Sequence, residues 1–410
     1  MRSNYRIVGD FIKQSKLKNE EGRIDRLLGV NLDKKFMPSV ANLNGVDLTK
    51  YKVIKKGQFG CKLMSVGRDK KVPISRLTNY DEAIISSAYF VFEVIDENEL
   101  NPEYLMMWFS RSESDRFQWF QSGADIRGRI TWEEFCSLPI KVPSIEKQRA
   151  IVKEYNTIVN RIKLNEQLNQ KLEETAQALY KHWFVDFEFP NEKGQPYKSS
   201  DGKLVYNEEL DQEIPDEWKV VPLSDFCEVK FSKRIFQSEY VSSGVPFYRS
   251  KEIILKKQGK SINNELYISE ERYHEITEKF GAISKGDLLL TAVGTIGISY
   301  MIKDEEFYFK DGNLFWFKNF SKDSYNFFIY EWMQNDSFKE ILEEITFGST
   351  QKVITTTALY KVLLHKPSDE IILKFLKLVS PIREKIGIKR RESNNLETLK
   401  NLILSRISNI

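Results

Sequence analysis

Four short glycine-containing loops of this sequence carry side chains that could bind a ligand. The loops are "GRDKK" (67–71) and "GADIRGRIT" (123–131) in the first half, and "GTIG" (294–297) and "GSTQK" (348–352) in the second. Lys, Arg, Ser, Thr and Gln side chains donate hydrogen bonds, and the cations also neutralise anions. Taken alone, "GTIG" is typical of a hairpin turn and "GRDKK" of a solvated charged turn. These residue types indicate ligand binding rather than bond-making chemistry.

No set of residues in the sequence has the types and spacing of a catalytic centre. "NPEY" at 101–104 lacks the second Pro of the Asn-Pro-Pro-Tyr box of adenine methyltransferases, and it predicts the start of a helix. "VGTIG" lacks the strand and helix context of a dinucleotide-binding loop, and no Gly-x-x-x-x-Gly-Lys-Ser/Thr motif occurs. His182, His274 and His365 are scattered, without a Cys or a second His at metal-ligand spacing. We therefore predict a binding protein and not an enzyme.

Composition places the chain among ordinary soluble proteins. Its 410 residues are enough for two or three domains, and the net charge of +3 favours a polyanionic partner only weakly. Cys61, Cys136 and Cys227 have no disulfide or metal spacing, which is typical of a reducing compartment. The charged N-terminal stretch lacks the apolar core of a signal peptide, and no apolar run approaches the roughly 20 residues of a membrane span. We expect a cytoplasmic protein with no membrane partner.

The sequence repeats itself at a fixed offset. "ITWEEFCSLPIKVPS" at 130–144 returns as "ITTTALYKVLLHKPS" at 354–368, more than half the chain later. Trp108 and Trp332 stand in similar contexts at the same offset. The pattern therefore predicts, for each half, a strand-rich domain followed by a short helix, a strand, Pro-Ser and a long helix. A Gly-, Pro- and charge-rich segment between the halves is typical of a linker.

Both long helices carry a narrow apolar stripe with polar residues in its middle. The stripe positions in the first helix are Ile151, Tyr155, Ile158, Ile162, Asn165, Asn169, Leu172, Ala176, Leu179 and Trp183. Spacing by three and four residues is typical of a helix that packs on another helix, although a single such stripe also fits a globular core. An antiparallel pair would bring Asn165 and Asn169 opposite Lys389 and Ser393. Pro381 should kink the second helix or lie near its start.

In this order, and doubled, these features resemble the DNA-specificity subunit of type I restriction-modification systems. The motifs that carry the resemblance are "VPFYRSKEI" (245–253), "KGDLLLTAVGTIG" (285–297) and "GSTQKVITTTALYKVLLHKPS" (348–368). Together with the two helices they cover essentially the whole chain. The resemblance implies an α+β fold with two similar mixed α/β target-recognition domains. A long antiparallel two-helix coiled coil would separate them in a pseudo-twofold arrangement.

The resemblance also implies where the domains begin and end. The expected segments are the first target-recognition domain (1–144), the first spacer helix (145–189), a linker (190–214), the second target-recognition domain (215–368) and the second spacer helix (369–410). The helices would hold the domains apart and dock methyltransferase subunits.

Base reading in the major groove needs donors and acceptors on loops, and phosphate binding needs cations or backbone N–H groups. The expected DNA-binding residues of the first domain are Lys34, Lys35, Arg68, Lys70, Lys71, Arg127 and Arg129. Those of the second domain are Arg249, Lys251, Thr291, Thr295, Ser349, Thr350, Gln351 and Lys352. Gln pairs with adenine and Arg with guanine, and the helix after "GSTQK" has an N-terminus that favours phosphate.

The function implied by the resemblance is reading of double-stranded DNA for partner enzymes. Each domain would read one half of a split, asymmetric target, and the helices would set the spacer. Two modification (methyltransferase) subunits, and restriction (motor and nuclease) subunits where the system has them, would be the protein partners. No cofactor is expected in this chain, because S-adenosylmethionine, ATP and Mg²⁺ would belong to those subunits. The alternatives are a coiled-coil protein-interaction scaffold and a stand-alone DNA-modifying enzyme with a cryptic site.

Overall fold

The computed structural model describes residues 5–39, 46–64, 66–123, 128–346 and 354–407. The chain divides into two compact units. Unit 1 comprises Met1–Ile162 and Leu396–Ile410, and unit 2 comprises Lys163–Asn395. Within the described ranges, no helix combines the length and the apolar composition that crossing a bilayer requires.

Unit 1 is built from short strands and short helices. The strands are β1 (Tyr5–Ile7), β2 (Ile12–Ser15), β3 (Leu27–Val30), β4 (Phe36–Pro38), β5 (Lys52–Lys55), β6 (Phe59–Cys61), β7 (Ile74–Arg76), β8 (Glu82–Ile85), β9 (Phe90–Val94) and β10 (Pro139–Lys141). The helices are α1 (Val66–Asp69), α2 (Pro102–Phe109), α3 (Ser112–Gln121) and α4 (Trp132–Cys136). Two sheets run in the orders β2-β9-β6-β7 and β4-β3-β8-β5, and β1 pairs antiparallel with β10.

Unit 2 has a second set of strands and helices. The strands are β11 (Leu204–Asn207), β12 (Gln212–Pro215), β13 (Lys219–Pro222), β14 (Glu228–Lys230), β15 (Tyr240–Val241), β16 (Val245–Tyr248), β17 (Leu266–Ile268), β18 (Leu288–Thr291), β19 (Ser299–Met301), β20 (Tyr308–Phe309), β21 (Leu314–Lys318) and β22 (Leu363–Lys366). The shorter helices, which follow the long helix α5 (Ile145–Phe184), are α6 (Ser250–Lys257), α7 (Glu270–Phe280), α8 (Asp323–Trp332), α9 (Asp336–Glu344) and α10 (Thr356–Tyr360). The last helix is α11 (Asp369–Ile407).

One sheet, one strand pair and the last helices recur in the same order in both units. The sheet order β2-β9-β6-β7 of unit 1 returns as β14-β21-β18-β19 in unit 2, and the β1–β10 pair returns as β13–β22. A second four-stranded sheet of unit 2 runs β15-β17-β16-β20 and contains one parallel pair, as β4-β3-β8-β5 does. Helices α4 and α5 recur as α10 and α11. In both cases the two helix starts are separated by the offset of the sequence repeat. The predicted α+β fold class with two similar halves is confirmed.

The repeated "IT" and "PS" of the sequence are helix caps. Thr131 and Thr355 are the N-caps of α4 and α10, and each hydroxyl accepts a backbone N–H at 3.1 Å. Ser144 and Ser368 accept a backbone N–H from the first turns of α5 and α11, each at 3.4 Å. A hydroxyl at this position satisfies one of the free N–H groups of a helix start. "NPEY" is also a helix start, as predicted, because the Asn101 side chain caps α2.

The long helices α5 and α11 pack antiparallel within each unit. In unit 1, Val152 of α5 shares one buried core with Ile403, Leu404 and Ile407 of α11. In unit 2, the rings of Phe184 and Phe375 meet edge to face with centroids 4.8 Å apart.

The polar layer predicted in the seam lies within unit 2. Asn165 donates a hydrogen bond to Ser393 over 3.4 Å, which confirms the predicted register. Pro381 lies inside α11 and not at its start.

A buried ion network ties α11 to the body of unit 2. The Arg383 guanidinium forms two hydrogen bonds of 2.6 Å with the carboxylate of Glu331 on α8, and it also pairs with Glu173 of α5. Arg390 donates to the same Glu173 carboxylate at 3.0 Å. Burial raises the pKa of Glu331, although the hydrogen bonds from Arg383 oppose this. The network therefore holds a fully buried carboxylate that depends on one guanidinium.

Replacing Arg383 with Met should destabilise unit 2 strongly. The substitution leaves the Glu331 carboxylate buried without a counter-charge, which costs about 3–5 kcal/mol in comparable pairs. Denaturant unfolding followed by tryptophan fluorescence measures the change. Arg391→Met is the matched control, because Arg391 is exposed and should change stability by less than about 0.5 kcal/mol. Equal stability of the Arg383→Met variant and the parent would contradict the role given to the network.

Candidate nucleic-acid interface

Three segments of unit 1 that the sequence singled out lie against one another. They are residues 31–35, 66–72 and 128–130, and we call them the first loop cluster. Gly67 N–H donates to the Gly128 carbonyl at 3.0 Å, and Ile130 N–H donates to the Leu63 carbonyl at 3.2 Å. The indole N–H of Trp119 donates to the Gly67 carbonyl at 3.2 Å, and the Lys70 ammonium lies 5.3 Å from the centre of that ring. The turn after β6 is thus joined to the loop before α4.

Asp115 of α3 holds the first loop cluster together. Its carboxylate accepts from the Lys34 ammonium at 2.8 Å and from Val72 N–H at 3.2 Å. Lys34 also donates to the Phe109 carbonyl, and its side chain is only 8% exposed. Burial lowers the pKa of the Lys34 ammonium, although Asp115 favours its charged form. Lys34, expected to bind DNA, therefore supports the loop from inside.

The other predicted residues of the first loop cluster are exposed. Lys35, Lys71 and Arg129 point to solvent and form no ion pair with any described residue. Arg68 is also exposed, and its guanidinium pairs with the neighbouring Asp69 at 2.7 Å. Arg127 lies outside the described residues. The surface of this cluster can therefore offer at least three unpaired cations to an anionic ligand.

The second loop cluster, residues 249–251 and 291–298 of unit 2, is organised around a buried hydroxyl. The Thr291 hydroxyl donates to the Thr295 carbonyl at 2.5 Å and accepts from Ile298 N–H at 2.9 Å. Gly294 and Gly297 have φ values of +78° and +88°, which a side chain would oppose. Thr291 is fully buried, so it shapes the turn, and the side chains that the turn exposes are those of Val293 and Thr295.

The start of α6 meets the end of β18 at one carbonyl group. The Ser250 hydroxyl donates to the Asn313 carbonyl at 3.2 Å, and Ala292 N–H donates to the same oxygen at 2.8 Å. This contact brings Arg249 and Lys251 beside the turn at 291–298. The Arg249 guanidinium pairs with Glu252 at 2.8 Å, whereas Lys251 is exposed and has no ion pair among the described residues.

The turn also lies beside the C-terminal end of α9. A Cβ atom placed on Gly297 would stand 2.9 Å from a methyl carbon of Leu342, so glycine permits this close approach. Helix α9 leads into the segment that carries Ser349, Thr350, Gln351 and Lys352, and these four residues lie outside the described ranges. The chain therefore enters that segment next to the second loop cluster.

Sequence reasoning missed two residues that organise the first loop cluster. Asp115 and Trp119 belong to "SESDRFQWF", which carries an ordinary helical pattern, and their partners lie 43 to 81 residues away. In the part of the chain that the structure describes, no group of three or more His, Cys, Asp or Glu side chains is placed to hold a metal ion. The two clusters can donate hydrogen bonds and offer cations, and both functions suit recognition of an anionic polymer.

A family model and several known proteins match the chain. The model described as "Type I restriction modification DNA specificity domain" matches residues 49–174 and 215–398. The specificity subunit of the type I restriction enzyme HindI of Haemophilus influenzae is 23% identical over 435 residues and covers 92% of both chains. The MjaIX specificity subunit of Methanocaldococcus jannaschii is 24% identical over 320 residues, which are 77% of this chain and 70% of that protein.

Among solved structures, the S subunit of a type I restriction-modification system from M. genitalium has a similar fold. The TM-score is 0.53 at 14% sequence identity, and the match covers 98% of this chain and 95% of the other.

Replacing Asp115 with Asn should destabilise unit 1 by about 3 kcal/mol, because it leaves the buried Lys34 ammonium without its counter-charge. Hydrogen exchange should show the loss first at the amides of Val72 and Gly67. Glu113→Gln is the control, since Glu113 lies on the same helix and is exposed. If both variants exchanged and unfolded like the parent, the loops would not depend on the Asp115 carboxylate.

Proposed function

The chain belongs to the type I restriction-modification DNA specificity family, and we propose that each of its two units reads one part of a split DNA target. The observation that supports the proposal is that the loop cluster and the sheet beside it occur twice in the chain. The two loop clusters follow corresponding strands in two units that share one sheet order, and α5 and α11 contribute residues to both units. In this proposal the chain does no chemistry and selects the DNA on which partner subunits act.

The exposed side chains of the two clusters are of types that bind DNA phosphates and base edges. Lys35, Lys71 and Arg129 would contact phosphates or guanine edges, since Arg and Lys are the usual partners of both. In unit 2, Lys251 and Thr295 would contact phosphates or base edges. Predicted DNA contacts of the same unit also include Ser349, Thr350, Gln351 and Lys352. Lys34 and Thr291 would act indirectly, by holding loops in place.

The two clusters differ in chemistry, so the two halves of the target should differ in sequence. The first cluster exposes mainly cations, whereas the second exposes one lysine, one valine and one threonine around a two-glycine turn. Two identical units would select two copies of one half-sequence, because each would read the same bases. Two unlike units select two different half-sequences, and therefore an asymmetric, bipartite target.

The helix pair is suited to fix the spacer between the half-sites. Helix α5 has 40 residues and α11 has 39, and 40 residues of α-helix measure about 60 Å. One turn of DNA measures roughly 34–36 Å, so the pair is long enough to relate two major-groove sites about a turn apart.

Helix α11 also exposes apolar side chains that the seam does not use. Leu373 and Leu378 in unit 2, and Leu399 and Leu402 in unit 1, are each about half exposed. We assign these two patches to two modification subunits, one for each unit. The partner subunits would bind S-adenosylmethionine and flip the target adenine, and restriction subunits would supply the ATP- and Mg²⁺-dependent steps.

Selection from a random DNA pool tests the function directly. The full chain, assembled with its modification subunits, should enrich one bipartite and asymmetric sequence with a fixed gap. A chimaera that carries residues 1–144 of a relative should keep one half and the gap and change the other half. The parent complex is the control.

Two outcomes would contradict the proposal. Absence of any enriched sequence would favour a protein-interaction scaffold. Methyl transfer from labelled S-adenosylmethionine by the isolated chain would favour a stand-alone enzyme.

Shortening the helix pair symmetrically should shorten the gap. Deleting residues 163–169 and 387–393 removes one heptad from each helix, about 10 Å of helix and about 3 base pairs of DNA. The selected gap should shrink by about that number with both half-sites unchanged. Binding should weaken, because 3 base pairs also turn the duplex by roughly a third of a turn. The control replaces the same heptads by others of equal length that keep Asn165 and Ser393, and it should leave the gap unchanged. An unchanged gap after the deletion would show that the helices do not set it.

A further inference from the structure

Unit 2 contains a cleft that is lined largely by charged side chains and lies outside the second loop cluster. The cleft encloses about 830 Å³ and lies between the end of α6, strand β19 with the residues after it, and α11. Seven Lys or Arg side chains and three Glu side chains line it, and the buried Glu331 pairs with Arg383 of the lining, so the net formal charge is +3. An excess of this size in one concave surface attracts anions strongly, because the low-dielectric walls focus the field.

Four of the seven cations are held by partners within the protein. Arg383 and Arg390 bind Glu173, and Arg383 also binds Glu331. Lys256 pairs with Glu305 at 2.5 Å, and Lys257 donates to the side chain of Gln334. These contacts fix the walls of the cleft and leave those groups little freedom to bind a ligand.

The remaining three cations, Lys260, Lys303 and Arg391, are exposed and form no ion pair with any described residue. They come from three different elements: the loop after α6, the segment after β19, and α11. Glu384 is the one exposed carboxylate of the lining. Three unpaired cations that face one cleft repel each other unless an anion lies between them.

The loop that carries Lys260 is fixed against the long helix. Gly259 has a φ of +70°, and a Cβ atom there would stand 3.1 Å from the Cβ of Arg390. The side-chain amide of Asn394 donates to the Gly259 carbonyl. A glycine in the left-handed region thus allows the loop to touch α11 and places Lys260 at the cleft.

Two elements lead directly from the second loop cluster to this cleft. Helix α6 begins beside Lys251 and ends at Lys257, and its eight residues measure about 12 Å. The chain from Ile298 to Lys303 runs along β19 and spans roughly 16 Å. The major groove of DNA is about 12 Å wide, so phosphates that border a groove lie at about this distance from the bases read inside it.

We propose that this cleft binds the phosphodiester backbone of the duplex whose bases the second loop cluster reads. Lys260, Lys303 and Arg391 hold consecutive phosphates of one strand, and α11 thereby contacts DNA as well as its partner helix. This inference rests on the proposed function and adds a sequence-independent contact that sets the register of the duplex. A free phosphate or pyrophosphate offers the same chemistry, and the experiment separates it from the backbone.

The test is the salt dependence of DNA binding by the complex with its modification subunits. The slope of log K against log salt is negative, and the triple variant Lys260→Ala, Lys303→Ala, Arg391→Ala should make it less steep by about 2.7, because each lost phosphate contact removes about 0.9. At about 0.15 M salt this corresponds to a loss of roughly 100-fold in affinity. The loss should be equal for the selected target and for random duplex, so the selected sequence stays the same.

A charge-matched variant controls for the loss of three positive charges. Lys193→Ala, Lys198→Ala, Lys219→Ala removes the same charge from exposed lysines of unit 2 that do not line the cleft, and its slope should change by less than one. Phosphate ethylation adds a second readout. Ethyl groups on a few phosphates beside the half-site of unit 2 should block binding of the parent complex and should no longer matter for the cleft variant.

Three results would overturn the inference. The first is a slope that the cleft variant leaves unchanged, and the second is an equal change in the control variant. The third is pyrophosphate binding that the cleft variant abolishes while the DNA slope stays the same, which would make the cleft a small-anion site. In each case the parent complex would still select a bipartite sequence. Failure of the proposed function itself would instead appear as the absence of any selected sequence.

Discussion

Antiparallel pairing of α5 and α11 is the constraint on which both units depend. Ile403, Leu404 and Ile407, which come from the end of the described chain, are buried in the core of unit 1. Phe184 and Phe375, one from each helix, are buried in the core of unit 2. Each of these side chains contributes about 1.5–3 kcal/mol when it leaves water. Each unit therefore completes its core only when both helices are present and in register.

Polar residues in the seam of unit 2 determine which register forms. A slip of one turn would separate the buried Asn165 amide from its partner Ser393, and an unpaired buried amide costs about 1–3 kcal/mol. The side-chain oxygen of Asn169 is already buried without a hydrogen-bond partner among the described residues. The helix pair therefore gives up some free energy of folding at this position. Such a cost is typical of residues that specify one pairing against alternatives. A fixed register matters here because the helix pair is proposed to set the spacing between the two half-sites.

Much of this architecture could be predicted from the sequence, because its signals are local and repeated. The caps Thr131 and Thr355, and the seam positions spaced by three and four, follow from residue type and helical period alone. The register of Asn165 against Ser393 followed from the constant offset between the two copies of the repeat.

Contacts between distant residues could not be predicted in this way. "DKKF" has the composition of a solvated turn, yet Lys34 is buried by Asp115, which lies 81 residues later. The Glu331–Arg383 pair and the unpaired cations of the cleft likewise arise only when separate elements meet. Sequence patterns therefore identify the repeated elements, whereas the fold decides which charged side chains are buried in ion pairs and which remain exposed.

We propose that one chain presents two unlike DNA-reading units at one fixed spacing. The decisive measurement is a map of methylated adenines across the host genome, with the gene intact and with it deleted. We expect deletion to abolish methylation at one motif, made of two different half-sequences separated by a gap of constant length. A lost motif that is continuous or palindromic, or a genome whose methylation does not change, would contradict it.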